Sequence, residues 1–292
     1  MTYQSVNREL IQQFLHYLQY VKNASEHTIR NYSIDLEEFL SFSHNRIVDR
    51  KIIREFLAQL HDQGKSKRTI ARKLSSLRSF FKFGFIHKWY ANNPTDDLES
   101  PKIGKYIPPS LTYEQVERLF SQPKVDHYLG LRDRTIMELF YSSGLRLSEL
   151  AALNKKDYDP YSLLIKLKGK GKKERIVPIT KNALTWIESY LSHPERIEED
   201  QEALFLNKHG TRLSVRSIDR NFKAYLKQSS LSARITPHTI RHTIATHWLE
   251  NGMDIKMIQA LLGHSSPSTT TIYTQATTKT KKKVYDKTHP RA

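Results

Sequence analysis

Apolar side chains recur every three or four residues through the first third of the chain. Leu10, Phe14, Leu15 and Leu18 make one stripe, and Ile29, Tyr32, Leu36, Phe39 and Leu40 make a second, with Ser25 placed to cap it. A third stripe, Ile52, Ile53, Phe56, Leu57 and Leu60, stops at Gly64. The fourth uses Ile70, Leu74, Leu77 and Phe81, and carries Lys67, Arg68, Arg72, Lys73, Arg78 and Lys82 on its other faces. The pattern predicts a four-helix domain over residues 1–98, one helix of which is strongly basic.

Periodicity fails over residues 99–110, where three prolines and a glycine fall together. That stretch reads as a linker between domains. Beyond it, Thr112 with Gln115 three positions on has the form of a capping box. A helix through Ile136, Leu139 and Phe140 ends at Gly144. Tyr161–Leu167 and Glu174–Ile179 read as two strands around a Gly169-Lys170-Gly171 tip. Helices resume at Thr180, Ser214 and Thr236, the last with Pro237 in its first turn and Gly252 past its end. Residues 111–292 therefore form a second domain, and the fold class is mainly α with a small β-hairpin.

Charge narrows the picture. The chain has 292 residues, with 47 Lys and Arg against 30 Asp and Glu, for a net charge of +17. Up to Lys105 there are 17 basic and 11 acidic residues, a net of +6, which leaves +11 for the remainder. Both domains could thus face a polyanion such as DNA, as the two jaws of a clamp would; two independently solvated domains is the plainer alternative. Cysteine is absent, which rules out disulfides and thiolate metal sites. The N-terminus has no signal-peptide pattern and no apolar run reaches membrane-spanning length, so a soluble, cytoplasmic protein is expected.

The candidate chemistry lies in the second domain. His238 and Arg241 share one face at the start of a capped helix, where free N–H groups also favour a phosphate. Arg146 follows a helix-ending glycine, with Glu149 one turn on to orient it. Lys170 stands at a glycine-flanked tip, free to reach a departing oxygen as a general acid. His264 and Tyr273 follow near the C-terminus. Each has an ordinary reading when taken singly: a local ion pair, a turn lysine, a packed ring. His238 and His242, with His247 or His264, could alternatively hold a metal, but no acidic residue stands between the first two and Arg241 would oppose a dication.

Their order carries more than their identities. Gly144-Leu145-Arg146-Leu147-Ser148-Glu149-Leu150, then Gly169-Lys170-Gly171-Lys172-Lys173-Glu174-Arg175, then Thr236-Pro237-His238-Thr239-Ile240-Arg241-His242, then Leu262-Gly263-His264 and Tyr273 resemble the tyrosine recombinase (integrase) family. At this length, and with Val284-Tyr285-Asp286 and the closing His289-Pro290-Arg291-Ala292, the chain most resembles the bacterial Xer type, towards its XerC-like branch. The resemblance implies an N-terminal helical SAM-like core-binding domain and a C-terminal catalytic domain, clamped around DNA. It implies a nucleophile, Tyr273, that forms a 3′-phosphotyrosyl bond. Arg146, Arg241 and His264 would hold the non-bridging oxygens, with His238 as base or orienting group and Lys170 as acid.

No cofactor, metal or ATP would be needed. Lys67, Arg68, Arg72 and Lys172 are the candidate DNA contacts. The implied partners are a short two-armed duplex site and a synaptic tetramer, with a second Xer-type subunit and an FtsK-like translocase as further expectations. The implied role is resolution of chromosome dimers at a dif-like site, with a mobile-element integrase as the alternative. Gln275 and Pro267 depart from the family's usual residues, and the run from Thr277 to Lys283 is unusually cationic.

Overall fold

The structure is a computed structural model that describes residues 5–44, 46–102, 110–168, 174–232, 234–263 and 278–291. The chain divides into two compact units, Met1–Tyr106 and Ile107–Ala292.

The first unit is built from α1 (Arg8–His16), α2 (Glu26–Ser43), α3 (Arg50–Asp62) and α4 (Lys67–Ile86), with one π-helical turn, Tyr17–Val21, extending α1. Ser25, Asp49 and Ser66 cap α2, α3 and α4 by accepting the Thr28, Ile52 and Thr69 amides. The apolar stripes meet in a core rich in rings, with Phe39 edge-on to Phe56 at 5.1 Å and Phe80 edge-on to Phe81 at 5.2 Å.

The basic helix differs from its sequence reading at two positions. Lys73 is only 3% exposed; its Nζ donates to fully buried Asp35 at 2.9 Å and to Glu38 at 2.7 Å. Arg78 bonds the Leu98 carbonyl and Ser100 Oγ, so it holds the chain leaving the unit. Both cations answer acceptors far away in sequence, which helical periodicity does not register.

The second unit is built around α6 (Tyr128–Ser143), which is buried on almost every side and ends at Gly144 in the left-handed conformation, φ +59°. Around it lie α5 (Tyr113–Phe120), the short α7 (Leu147–Ala152), α8 (Lys181–Leu191), α9 (Val215–Gln228), α10 (Pro237–Glu250), α11 (Ile255–Leu262) and α12 (Thr278–Thr288). The expected Thr112–Gln115 capping box opens α5. Three antiparallel strands, β1 (Tyr158–Asp159), β2 (Leu164–Lys168) and β3 (Glu174–Pro178), pair in the order β1-β2-β3. The first long strand begins at Leu164 and not at Tyr161. Asp159 accepts from the Tyr161 and Ser162 amides, and Leu163 takes φ +56°, so a side-chain-bonded turn occupies those residues.

Polar groups on α6 are hooks for its neighbours. Ser142 Oγ accepts the Thr180 amide at 2.8 Å, and the Ser142 carbonyl accepts the Tyr285 hydroxyl at 2.8 Å. Buried Glu138 receives Arg134, Asn182 and Arg291. The C-terminal tail thus docks on its own unit through Tyr285, His289 and Arg291. Burial pushes the His289 imidazole down to about 3. His247 is buried as well. Its Nε2 faces the Leu111 carbonyl at 2.9 Å, which can only accept, so Nδ1 takes the Tyr141 hydroxyl proton at 2.7 Å. Among the described residues no helix is long and apolar enough to cross a membrane.

Two outcomes follow from this packing. Lys73→Ala leaves the buried Asp35 carboxylate with a half-exposed Arg72 as its remaining ion-pair partner, so the cost in the first unit is expected to fall below the roughly 3–5 kcal/mol of a wholly uncompensated buried charge, at about 2–3 kcal/mol. Asp35→Leu combined with Lys73→Met should recover most of that; urea melts of the three proteins decide. His289 has a folded affinity for protons below that of the unfolded chain. Its contribution is therefore complete above pH 6.5 and is lost as the pH falls towards 3. Lowering the pH from 6.5 to 5 should cost about 2 kcal/mol through this group, at roughly 1.4 kcal/mol per pH unit. His289→Leu should flatten the thermal midpoint's pH slope over that range, and an unchanged slope would refute the assignment.

Candidate active site

The site begins with two glycines. A side chain at Gly144 would come within 2.8 Å of Leu262, and one at Gly263 within 3.0 Å of the Arg175 guanidinium. Both are left-handed, Gly263 with φ +66°, and they end α6 and α11. Helix ends leave carbonyls without intrahelical partners and carry the negative end of the helix dipole. Here those carbonyls meet guanidiniums. Arg241 Nη1 donates to the Gly144 carbonyl and its Nη2 to the Leu262 carbonyl. Arg146 Nη2 donates to the Gly263 carbonyl at 3.0 Å.

Arg146 is the N-cap residue of α7. Glu149, one turn on, accepts its backbone amide at 2.8 Å and its Nη1 at 2.9 Å, the orientation expected from the spacing. The same carboxylate takes both ends of a further guanidinium, Arg175 on β3, at 2.7 and 2.8 Å. Arg175 is not among the site residues that the sequence motifs single out. The available signal was strand alternation: Arg175 falls on the same face as buried Val177, where a charge needs a partner.

Burial favours the neutral form of Glu149, but hydrogen bonds from Arg175 and Arg146 outweigh it and hold the carboxyl below its ordinary range. Arg241, 8% exposed, is pulled down to about 10, first by burial and then by Arg146, with Glu149 opposing and Arg175 adding to the repulsion. It remains charged at neutral pH. Three guanidiniums against one carboxylate leave a surplus of two positive charges, a setting that an anionic phosphate completes.

Thr236 caps α10 and Pro237 occupies its first turn, which puts His238 one turn before Arg241 on the same helix. His238 is exposed, at the solvent edge, while Arg241 is buried. The structure therefore brings Arg146 and Arg241 together, with His238 one turn from the latter. Lys170, Lys172, His264 and Tyr273 lie outside the described residues. The strands flanking Lys170 are described and pair at Lys168 and Glu174, and Gly263 immediately precedes His264 in the sequence. Among the described residues no group of three or more His, Asp or Glu could hold a metal, and both ring nitrogens of His247 are already taken. In the first unit Lys67 and Arg68 are exposed, whereas Arg72 is paired with Asp35.

Comparison with known proteins gives a consistent result. Residues 109–280 match the Phage integrase family, and residues 11–85 match its N-terminal SAM-like domain. Tyrosine recombinase XerC of Chlamydia pneumoniae is 49% identical over 308 aligned residues, covering 97% of this chain and 99% of that protein. Tyrosine recombinase XerC of Thermodesulfovibrio yellowstonii is 42% identical, covering 96% of each. Among solved structures, a lambda integrase tetramer bound to a Holliday junction shares the fold, with a TM-score of 0.70 at 19% identity over 88% of this chain and 77% of that one.

Proposed function

The chain belongs to the phage integrase family as a Xer-type tyrosine recombinase, an enzyme that cuts and rejoins DNA, and from that premise we propose that Arg146 and Arg241 grip the scissile phosphate for attack by Tyr273. The observation that carries this reading is the fixing of both guanidiniums on successive carbonyls, Leu262 and Gly263, of one helix end. Guanidiniums held in advance need no reorganisation when charge develops on the phosphoryl oxygens.

In the proposed reaction the Tyr273 phenol oxygen forms a bond to phosphorus and the bond to the 5′ oxygen breaks. His238 takes up or orients the phenolic proton, Lys170 delivers one to the departing 5′ hydroxyl, and His264 adds a donor to a non-bridging oxygen. One phosphodiester replaces another, so the step is close to isoenergetic and the reverse attack reseals the strand. No ATP enters, and the cationic side chains do the work of charge neutralisation.

Lys67 and Arg68 on the first unit would meet the DNA backbone, with Lys172 contributing from the hairpin and Arg72 in a secondary role, since Asp35 already engages it. The two units would close on the duplex as a clamp, and four protomers would form the synaptic complex on a two-armed site. The relative in the Holliday-junction structure is itself a tetramer on DNA, which supports that assembly. End-to-end likeness to XerC proteins favours chromosome-dimer resolution at a dif-like site over a mobile-element role, in the cytoplasm, with a second Xer-type subunit and an FtsK-like translocase as partners.

Covalent trapping tests the chemistry. On a nicked dif-type duplex in EDTA, the wild type should yield an SDS-stable protein–DNA adduct and Tyr273→Phe none. Arg241→Ala should slow the adduct about a hundredfold or more; an adduct with Tyr273→Phe would remove the nucleophile assignment. Binding is tested separately. Replacing Lys67 and Arg68 together with Ala should reduce the slope of log affinity against log salt by about two, at roughly 0.9 per phosphate contact. An unaltered slope would place the DNA elsewhere.

A further inference from the structure

We propose that Arg175 is a positioning residue for strand cleavage: by gripping both oxygens of Glu149 it fixes the carboxylate that aims Arg146, and so ties the phosphate-binding guanidinium to the strand that leaves the Lys170 hairpin. The proposal rests on the reading of Arg146 as a ligand of the scissile phosphate.

The geometry is a closed relay. Each Glu149 oxygen carries two donors. Oε1 accepts Arg146 Nη1 at 2.9 Å and Arg175 Nη1 at 2.7 Å. Oε2 accepts the Arg146 backbone amide at 2.8 Å and Arg175 Nη2 at 2.8 Å. Arg146 by itself gives each oxygen one donor, through its backbone amide and its Nη1, but both come from the residue that is to be aimed. The two-pronged bond from Arg175 adds a second donor to each oxygen from a different element, and its planar fork braces the carboxylate independently of Arg146.

Three elements meet at this residue. Arg175 belongs to β3, where it pairs with Leu167 across the hairpin. Glu149 belongs to α7. The guanidinium also lies against Gly263, where a side chain would come within 3.0 Å of it. A larger residue at position 263 would push Arg175 away just where the Gly263 carbonyl holds Arg146.

A purely structural ion pair accounts less well for the placement. Arg175 is a third cation in a half-buried cluster that already contains Arg146 and Arg241. Fold stability alone is better served by a neutral or apolar partner there, because like charges in a low-dielectric setting repel strongly. Its cost is offset if the guanidinium serves to aim its neighbour.

The test compares two substrates within each preparation. Wild type, Arg175→Ala, Arg175→Lys and Arg146→Ala, all full-length, are given the same nicked duplex with either a normal scissile phosphodiester or a methylphosphonate, whose lost negative charge removes most of the need for an arginine grip. The ratio of adduct rates on the two substrates cancels any fraction of unfolded protein. Arg175→Ala should slow the phosphodiester reaction roughly 10- to 100-fold, the scale of losing a partner that orients a ligand, and the methylphosphonate reaction less than about threefold. Arg175→Lys, which keeps the charge but not the fork, should fall between. If Arg146→Ala shows the substrate-selective loss while both Arg175 variants slow the two substrates equally, Arg175 is structural only and the proposal is overturned. If Arg146→Ala itself slows both equally, the phosphate-grip reading fails first and takes the proposal with it.

Discussion

Two guanidiniums grip one carboxylate while a third, Arg241, is held beside them on backbone carbonyls, and the rest of the second unit is arranged so that this can persist. Arg146, Arg175 and Arg241 repel one another, and Glu149 neutralises only one charge. What holds the surplus is backbone: the Gly144, Leu262 and Gly263 carbonyls, all freed where a helix stops. Two helix ends thus present the negative poles of their dipoles to the cluster, each adding a modest attraction that falls off within a turn. Helices α6 and α11 must therefore stop where they do, and a left-handed glycine is the cheapest way to stop them.

The requirement on α6 extends beyond its last residue. That helix is buried on nearly every side, and a helix with no solvated face must spend its polar residues on neighbours. Ser142 bonds the start of α8 and the tail tyrosine, Glu138 takes Arg134 and Arg291, and Thr135 reaches the Trp186 carbonyl at 3.0 Å. One rigid rod consequently carries the acceptor of Arg241 at its end and the docking groups for the C-terminal tail along its length. Packing at interior density leaves little freedom for one to shift without the other.

Local features were legible in the sequence, because their causes are local. The Ser25 cap, the Thr112–Gln115 box, the glycine stop at 144 and the Arg146–Glu149 spacing each involve residues within one turn, and each is found as expected. The ordered set Arg146, His238 and Arg241 was legible as a motif, and the structure sets the two arginines on one helix end. Features with long sequence separations were not legible. Lys73 lay in a run of basic positions, and only folding shows Asp35 and Glu38 across from it. Arg175 reads in sequence as one position of the strand Glu174–Ile179, and its partner, Glu149, comes from another element 26 residues away. Leu163 was assigned to a strand because its apolar character fits one. The Asp159 side chain, two and three residues upstream of the amides it binds, imposed the turn.

The acceptors for the arginines were invisible for a different reason. A carbonyl is present in every residue, so no side-chain code marks the ones used. The only trace they leave is the residue that lets the backbone expose them, and that residue is glycine. Gly144 and Gly263 are read in sequence as helix stops; in the structure the stop and the binding of a cation are one event, since the turn that ends the helix aims the freed carbonyl at the guanidinium. An alanine at either place would face both a strained left-handed backbone and a collision, with Leu262 in one case and Arg175 in the other. The surplus of positive charge therefore depends as much on two residues without side chains as on the arginines that carry it.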